Sequence, residues 1–370
     1  MATALLTTYL TGYRMPLFER LADRYRIEVL CYGRGERYVP SWFSDLDSQL
    51  ASAPFPASRM AGVRDALAVG RTYSAVIAPF AGGAMLPAAY IGARRYRRPF
   101  ILWASVWSQP RSAAHAATLP LIRHIYRDAD SVIAYGEHVR RFVAGIRGRD
   151  DDVFVAPQAV EPDLFGRSVS DSEVRSFRER HALGAGPLAL YVGRLVEEKG
   201  VGVLVDAWPH VRSDATLVLI GDGPLAARVT RTSGVRLLGA MPRADLPVAY
   251  AAAELMLLPS IPTPRFREPW GLVCNEAMHQ GRPVIATTAV GAVAGGLVRD
   301  EETGLVVAPG DARALARATD RLLGDERLRS RIGAVARQAV AAYTYDAMVE
   351  AFDRALEVAT KARPAPVAAH

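Results

Sequence analysis

Short apolar segments alternate with longer amphipathic stretches along most of the chain, and this alternation constrains the fold more than any other feature. Such alternation is typical of βαβ units, which place neighbouring strands parallel in one sheet. In the first half, strands are expected near Leu5, Ile27–Cys31, Ala75–Ala78, Phe100–Trp103, Val132–Ala134 and Val153–Val155. In the second half they are expected at Leu188–Val192, Thr216–Ile220, Val235–Leu238, Leu255–Leu258, Pro283–Ala286 and Leu305–Val307. The sequence therefore predicts two doubly wound α/β domains.

The boundary between these domains is expected at Val160–Ser172, which is polar and rich in turn residues. We assign residues 1–165 to the first domain and 173–344 to the second, followed by a final helix at 345–362 and a disordered tail at 363–370. Because ligands of parallel α/β sheets bind outside the carboxyl ends of the strands, a ligand cleft is expected between the domains.

The charge balance narrows the class of partner. The net charge is +7 and the isoelectric point is about 9.6, which favours anionic ligands or surfaces. Nucleic acid is not expected, because the sequence has no basic–aromatic array, zinc-finger spacing or RNA-binding motif.

Several sequence features favour a soluble, cytoplasmic protein. The two cysteines, Cys31 and Cys274, lie in an expected strand and an expected helix, so a disulfide is not predicted and a reducing compartment is favoured. The first ten residues have neither a basic leader nor a cleavage site and predict a first strand. The uncharged run 72–93 is interrupted by proline and glycine, which divides it into a strand, a loop and a helix.

Two carboxylates flank an expected helix start in the segment EPWGLVCNE, Glu268 to Glu276. Pro269 fits the first helical position, and the unpaired N–H groups of a first turn attract phosphate. Glu268 and Glu276 would then reach different ends of a ligand, and carboxylates accept hydrogen bonds from paired hydroxyls. The alternative is an ordinary amphipathic helix with both glutamates solvated.

Lysine is almost absent from this chain. Only Lys199 and Lys361 are lysines among the 45 basic residues, a bias that we attribute to codon usage. Lys361 lies in a polar tail, whereas Lys199 follows an apolar run that is expected to be a buried strand. An ammonium is a compact point charge and a guanidinium is a wide planar fork. We therefore interpret Lys199 as a phosphate contact.

The motifs YVGRLVEEKG, LIGDGPL, LLPS, EPWGLVCNEAMHQGRPVIAT and ETGLVVAPGD, in this order and spacing, resemble the C-terminal domain of family 4 retaining glycosyltransferases. The resemblance is strong from about Gly186 to Asp311 and looser before it. It implies the GT-B fold, with two Rossmann-like domains facing across a cleft. The first domain would bind a hydroxyl-bearing acceptor and the second a nucleotide-sugar donor, while the last helix would cross back to the first domain.

The same resemblance implies roles for individual residues. Arg194 and Lys199 would hold the nucleotide diphosphate, Glu268 would bind hydroxyls of the donor sugar, and Glu276 would bind the ribose diol. A ribose site favours UDP-, GDP- or ADP-sugars over dTDP-sugars. No cofactor and no metal are expected, since fixed cations and a helix terminus would stabilise the departing phosphate.

The backbone of several residues would also face the donor. The resemblance places Trp270, Gly271 and Leu272 against the sugar and its phosphates, and puts the loops that contain Gly193 and Gly221 beside the nucleotide. The Gly221 loop lacks the third glycine of a dinucleotide fingerprint, so it is weak evidence for NAD, and an ordinary tight turn is the alternative.

The first domain departs from the family pattern. Gly12 is alone where members commonly have a glycine-rich loop, and Ser105 stands about where many have a histidine. The candidate contacts there are Tyr13, Arg14, Trp103, Ser105, Trp107 and Arg111. The pairs Asp45/Asp47 and Asp128/Asp130 are interpreted as surface turns and not as metal ligands.

The acceptor stays open between soluble and lipid-linked molecules. Arg94, Arg95, Arg97 and Arg98, with Arg140 and Arg141 further on, would hold the protein to the inner membrane face if they pointed one way, or would simply be solvated. Two other functions remain as alternatives. These are a GT-B epimerase or hydrolase acting on a sugar nucleotide, and a nucleotide-sugar-binding partner that has lost catalysis.

Overall fold

The computed structural model describes residues 2–33, 46–80, 83–109, 113–264 and 266–364. Candidate residue Arg111 and Asp45 lie outside these ranges. The described residues fall into two compact units. The first unit contains those of 1–158 and of 345–370, and the second contains those of 159–344.

The first unit is built on a parallel sheet. Within the described residues its strands are β1 (Thr3–Thr7), β2 (Ile27–Cys31), β3 (Ala57–Arg59), β4 (Ala75–Pro79), β5 (Phe100–Ala104), β6 (Ser131–Ala134) and β7 (Val153–Val155). They lie in the order β3-β2-β1-β4-β5-β6-β7, and each pair is parallel. The sequence pattern missed β3, because this three-residue edge strand has no apolar run.

Helices connect these strands. They are α1 (Met15–Arg24), α2 (Leu46–Ala51), α3 (Val63–Thr72), α4 (Met85–Arg95), α5 (Ala113–Asp128) and α6 (Glu137–Arg147). All five residues of β5 are buried, as expected for a parallel sheet that is covered on both faces. The apolar run 72–93 divides into β4 and α4, as predicted, and none of the described helices is both long and apolar enough to cross a bilayer.

The second unit repeats the architecture. Its strands are β8 (Leu188–Val192), β9 (Thr216–Ile220), β10 (Val235–Leu237), β11 (Leu255–Leu258), β12 (Val284–Thr287) and β13 (Gly304–Val307). The order is β10-β9-β8-β11-β12-β13, again parallel throughout. The strand order reverses between β8 and β11, and such a switch point opens a crevice at the carboxyl ends of the strands.

The helices of the second unit vary in length. They are α7 (Pro162–Phe165), α8 (Asp171–Arg180), α9 (Val201–Ala207), α10 (Ala226–Val229), α11 (Leu246–Ala252), α12 (Leu272–His279), α13 (Gly291–Ala294), α14 (Ala312–Gly324) and α15 (Glu326–Val340). The segment 160–172, expected as a linker, contains α7 and the capping box that starts α8. Phe165 is fully buried there, with its ring 6.3 Å from that of Tyr250, so this segment packs in the second unit.

The last helix, α16 (Tyr345–Ala362), belongs to the first unit. Phe352 is fully buried, and its ring lies 5.2 Å from that of Trp103 on β5. The Ser131 hydroxyl donates to the Ala355 carbonyl at 2.8 Å, and the Tyr345 hydroxyl donates to the Tyr13 carbonyl at 2.9 Å. The expected return of the chain to the first domain is thus built from apolar packing and buried hydrogen bonds.

Candidate functional site

Two loops at the carboxyl edge of the second sheet are joined backbone to backbone. The Gly193 N–H donates to the Ile220 carbonyl at 2.9 Å, and the Leu195 N–H donates to Asp222 at 2.8 Å. Gly221 has φ of +147°, and a Cβ there would lie 1.9 Å from the Gly193 carbonyl oxygen. Only glycine fits such a position, so Gly221 is required for the loops that follow β8 and β9 to meet.

Lys199 and Glu268 form a partly buried ion pair beside these loops, in which 18% of the Lys199 side chain and 7% of the Glu268 side chain are exposed. Lys199 ends a short 3₁₀ turn after β8, and its ammonium pairs with the Glu268 carboxylate. Glu268 is 5% exposed, and the Ser260 hydroxyl donates to its Oε2 at 3.1 Å. The Lys199 ammonium also lies 5.8 Å from the centre of the Phe266 ring. The structure therefore brings together two residues that are 69 positions apart in the sequence.

Arg194 is the more exposed cation of the site. Its side chain is 39% exposed and pairs with Glu198 at 3.5 Å. The buried Tyr191 hydroxyl donates to the Arg194 carbonyl at 2.7 Å, which fixes the backbone of the loop. The guanidinium thus remains open to solvent on a loop whose backbone is anchored.

The start of α12 differs from the sequence prediction. The helix begins at Leu272 and not at Pro269, and Gly271 precedes it with φ of +97°. The chain before Gly271 is held beside α13. Glu268 forms a parallel β-bridge with Val290, and the Glu268 carbonyl accepts a hydrogen bond from the Gly291 N–H at 3.0 Å. A proline at the first helical position was the wrong prediction, since this pairing keeps the segment out of the helix.

The loop 268–271 is fixed from both sides. The Ala292 N–H donates to the Trp270 carbonyl at 2.7 Å, and the Trp270 indole N–H donates to Asn275 Oδ1 at 2.8 Å. A Cβ on Gly291 would lie 2.0 Å from the Pro269 carbonyl oxygen. The N-terminus of α12 is therefore presented by a preorganised backbone.

Glu276 is a buried carboxylate inside α12. It is 7% exposed and accepts a hydrogen bond from the Tyr250 hydroxyl on α11 at 2.6 Å. Burial raises the pKa of Glu276 above its ordinary value, an effect that the Tyr250 hydrogen bond and the nearby Arg243 partly offset. Burial, together with the Glu276 charge, also raises the pKa of Tyr250 well above its ordinary range. Tyr250 therefore stays a hydrogen-bond donor at neutral pH.

These contacts exclude the alternative of a simple amphipathic helix with solvated glutamates, because Glu268 and Glu276 are both buried. Cys274 lies between them in the sequence, fully buried, and burial raises the pKa of its thiol far above neutrality. A thiolate nucleophile at Cys274 is not supported, since the thiolate is the reactive form.

The first-unit candidates separate into two groups. Arg14 is buried, with its guanidinium 4.6 Å from the Trp103 ring and 5.2 Å from the Tyr13 ring. Trp107 packs edge-on against buried His138 at 5.2 Å, and half-buried Ser105 follows β5. The structure thus brings Tyr13, Arg14 and Trp103 together and pairs Trp107 with a histidine that sequence reasoning overlooked.

The arginine cluster at the end of α4 is not one uniform patch. Arg94 pairs with Asp128 at 2.6 Å and with Asp130 at 2.7 Å, and buried Arg98 donates to the Gly70 carbonyl at 3.0 Å. Asp130 is only 7% exposed in its side chain, so it is not the surface turn that was predicted. In the part of the chain that the structure describes, no group of three His, Cys, Asp or Glu is arranged to hold a metal ion.

Sequence reasoning missed several site residues. Ser260, Tyr250 and Asn275 each orient a predicted residue; Ser260 and Asn275 lie inside quoted motifs but were not singled out, and Tyr250 lies outside every motif. Sequence reasoning also missed Tyr135 and Gln158 in the first unit, which contact Arg14. Their partners lie on other elements, so only the folded chain reveals them.

Two doubly wound parallel-sheet units, with a last helix that returns to the first, give this protein the GT-B fold. Residues 186–325 match the family model described as Glycosyl transferases group 1, which confirms the resemblance drawn from the sequence motifs. HepE of Anabaena, solved in complex with UDP, superimposes with a TM-score of 0.80 at 21% identity, and the match covers 96% of this chain and 100% of that one.

Parts of the chain are similar in sequence to curated relatives. The alpha-D-kanosaminyltransferase of Streptomyces kanamyceticus is 34% identical over 175 residues, which are 44% of this chain and 44% of that protein. The GDP-mannose-dependent alpha-(1-6)-phosphatidylinositol monomannoside mannosyltransferase of Mycolicibacterium smegmatis is 30% identical over 233 residues, 58% of this chain and 59% of that protein. The chain therefore spans between 44% and 59% of the length of these relatives.

Proposed function

We propose that this protein is a retaining glycosyltransferase that moves a sugar from a nucleotide-diphosphate sugar, UDP- or GDP-linked, to a hydroxyl acceptor without a metal ion. One observation carries the proposal. The N-terminus of α12 begins at a left-handed glycine between two buried carboxylates, Glu268 paired with Lys199 and Glu276 bonded to Tyr250. This combination suits a ligand that carries both phosphates and paired hydroxyls.

The leaving group sets the demand on the site. Transfer of a glycosyl group develops negative charge on the departing diphosphate, so cations that bind it lower the barrier. We assign Lys199, Arg194 and the first N–H groups of α12 to this task. Fixed positive groups would replace a metal ion, and the leaving phosphate would take the proton of the acceptor on the same face, which retains the anomeric configuration.

The two carboxylates would recognise hydroxyl groups. We assign Glu276 to the ribose diol and Glu268 to the donor sugar, with the Trp270, Gly271 and Leu272 backbone facing the sugar and its phosphates. A buried carboxylate that lacks its hydroxyl partner is costly, so dTDP-sugars would bind less well. The UDP complex of a structural neighbour and the GDP-mannose dependence of a relative are consistent with a ribonucleotide donor.

The acceptor is proposed to bind in the first unit at Tyr13, Arg14, Trp103, Ser105 and Trp107. The name of one relative contains a phosphatidylinositol monomannoside, which is consistent with a lipid-linked acceptor, and a soluble acceptor is the alternative. We place the protein in the cytoplasm, where nucleotide sugars occur. Contact with an inner membrane face would depend on exposed Arg95, Arg97 and Arg141, because Arg94 and Arg98 are held within the fold and Arg140 pairs with Asp150.

The first test is a panel of UDP-, GDP-, ADP- and dTDP-sugars, with affinity measured by calorimetry and slow hydrolysis by nucleotide release without acceptor. Binding and slow release of one ribonucleotide sugar is the expected result. Binding without any turnover, even with added acceptors, would favour the alternative of a partner that has lost catalysis. If no member of the panel binds, the donor site is wrongly assigned.

A further inference from the structure

A buried arginine lies at the carboxyl edge of the first sheet without an acidic partner. Arg14 follows β1 and is 6% exposed, yet within the described residues its guanidinium forms no ion pair. Its hydrogen-bond partner is neutral, the Gln158 side-chain oxygen at 2.7 Å. A buried charge is expensive unless it is paired, and guanidinium groups match carboxylate and phosphate geometry.

The walls around Arg14 are aromatic and carry no negative charge. The guanidinium carbon lies 4.6 Å from the Trp103 ring centre, 5.0 Å from Tyr135 and 5.2 Å from Tyr13. Such rings stabilise a cation, and the neutral Tyr135 hydroxyl is a further hydrogen-bond partner of Arg14. The buried Trp103 indole N–H also lacks a hydrogen-bond partner within the described residues. Donors therefore outnumber acceptors in this cluster.

Two other arginines of this unit with buried contacts, Arg94 and Arg147, have carboxylate partners. Arg94 pairs with Asp128 and Asp130, and the fully buried Arg147 side chain pairs with Asp152. These two side chains lie between helices and the loops that connect strands. A cation with a structural role there needs a carboxylate partner. Arg14 instead lies where ligands of parallel sheets bind, with Trp103, Tyr135 and Gln158 each at or after the end of a strand.

We infer that Arg14 binds an oxyanion, the phosphate or carboxylate group of an acidic acceptor, at the carboxyl edge of the first sheet. This inference rests on the proposed function, which supplies the acceptor. It adds that the acceptor is anionic. The aromatic walls hold the guanidinium in place before the anion arrives, so little side-chain entropy is lost on binding.

The test compares the wild type with Arg14→Met and Arg14→Lys. Each protein is first saturated with nucleoside diphosphate, which occupies Arg194 and Lys199, and is then titrated by calorimetry with inorganic phosphate and, separately, with acetate. The wild type is expected to bind at least one of these ions. Arg14→Met should weaken that binding at least tenfold, and Arg14→Lys should weaken it less, because an ammonium keeps the charge but not the fork.

A melting curve separates this role from simple packing. Methionine has a similar length and removes the cost of burying a charge, so Arg14→Met is expected to melt at the same or a higher temperature. A clear fall in melting temperature with anion affinity unchanged would overturn the inference. So would absence of anion binding by the wild type.

Measuring nucleotide affinity shows whether Arg14 binds the donor phosphates or an anion of the acceptor. All three proteins are expected to bind nucleoside diphosphate equally. A tenfold loss of nucleotide affinity in Arg14→Met would assign Arg14 to the donor phosphates and overturn the acceptor assignment. If the wild type binds no nucleoside diphosphate, the proposed function fails, whereas an anion affinity that depends on Arg14 would still support the site.

Discussion

At the scale of single residues, the proposed donor site depends on charged groups that the fold largely shields from water. Lys199 and Glu268 neutralise each other, while Glu276 is held by the Tyr250 hydroxyl. Removing one member of a buried pair leaves the other uncompensated, so such residues are costly to change. We propose that these residues bind the donor, so the first predictions concern the charge and the size of their side chains.

Lys199→Met is expected to weaken nucleoside diphosphate binding about 10- to 100-fold, because one charge-assisted hydrogen bond is lost. Lys361→Met is the matched control, because this second lysine pairs with Glu357 at an exposed position. Calorimetry measures both variants. Lys199→Arg tests the argument about size, since a planar fork does not fit where an ammonium does. Wild-type affinity in Lys199→Arg would contradict that argument.

Glu276→Gln is expected to weaken nucleotide binding and to change its pH dependence. The ionised carboxylate accepts hydroxyl hydrogen bonds, so wild-type affinity should rise with pH through the raised pKa of Glu276. Glutamine does not titrate, and its affinity should stay low and flat. Calorimetry between about pH 5 and 8 measures this, with exposed Glu350→Gln as control. A flat wild-type profile would contradict the ribose assignment.

The same variant has a stability consequence. Because burial raises the folded-state pKa of Glu276 above its ordinary 4.5, the unfolded chain releases this proton first as the pH rises. The contribution to folding present below pH 4.5 is therefore lost as the pH rises through the folded-state pKa. The melting temperature of Glu276→Gln, relative to that of the wild type, should therefore increase between pH 4.5 and the folded-state pKa of Glu276. The difference should persist at higher pH.

At the scale of elements, the site is held by loops that touch through their backbones. The loop 268–271 hydrogen-bonds to α13, and the loops after β8 and β9 meet at Gly193 and Gly221. Side chains would separate these contacts, so small residues decide where the ends of the elements meet. The position of the α12 N-terminus is therefore set by its neighbours as much as by its own sequence.

Gly291→Ala tests this dependence. The added Cβ would lie 2.0 Å from the Pro269 carbonyl oxygen, so α13 or the loop 268–271 must move. We expect a loss of about 1–3 kcal/mol in unfolding free energy, and weaker nucleotide binding. Gly324→Ala is the control, because its Cβ would meet open space. Denaturant unfolding and calorimetry measure the two effects, and unchanged binding in Gly291→Ala would show that α13 does not position the loop.

At the scale of the whole molecule, the chain crosses between its units twice. It leaves the first unit after Gln158 and returns to it at Tyr345, where α16 buries Phe352 against Trp103. The first unit therefore has a core that is completed only by the end of the chain. Its folding requires contacts between residues that are far apart in sequence.

Phe352→Ala is expected to cost about 3–5 kcal/mol of stability in the first unit, because it leaves a cavity beside Trp103. Nucleoside diphosphate affinity should be retained, since the assigned contacts belong to the second unit. Exposed Glu350→Ala on the same helix is the control. Tryptophan fluorescence during denaturant unfolding reports the loss. If the variant unfolds like the wild type, α16 does not stabilise the first unit.

The sequence by itself determined the parallel α/β class, most strands, the GT-B resemblance and the candidates Lys199, Glu268 and Glu276. The class and the strands follow from local patterns, since period and turn residues act over short stretches of chain, whereas the resemblance and the candidates follow from short motifs. Only the tertiary structure decided that Lys199 pairs with Glu268, that Tyr250 holds Glu276 and that α12 starts at Leu272. It also decided that Arg14 is buried with no acidic partner among the described residues. Each of these depends on contacts between atoms of distant elements in a low-dielectric interior, and local sequence spacing does not predict such contacts.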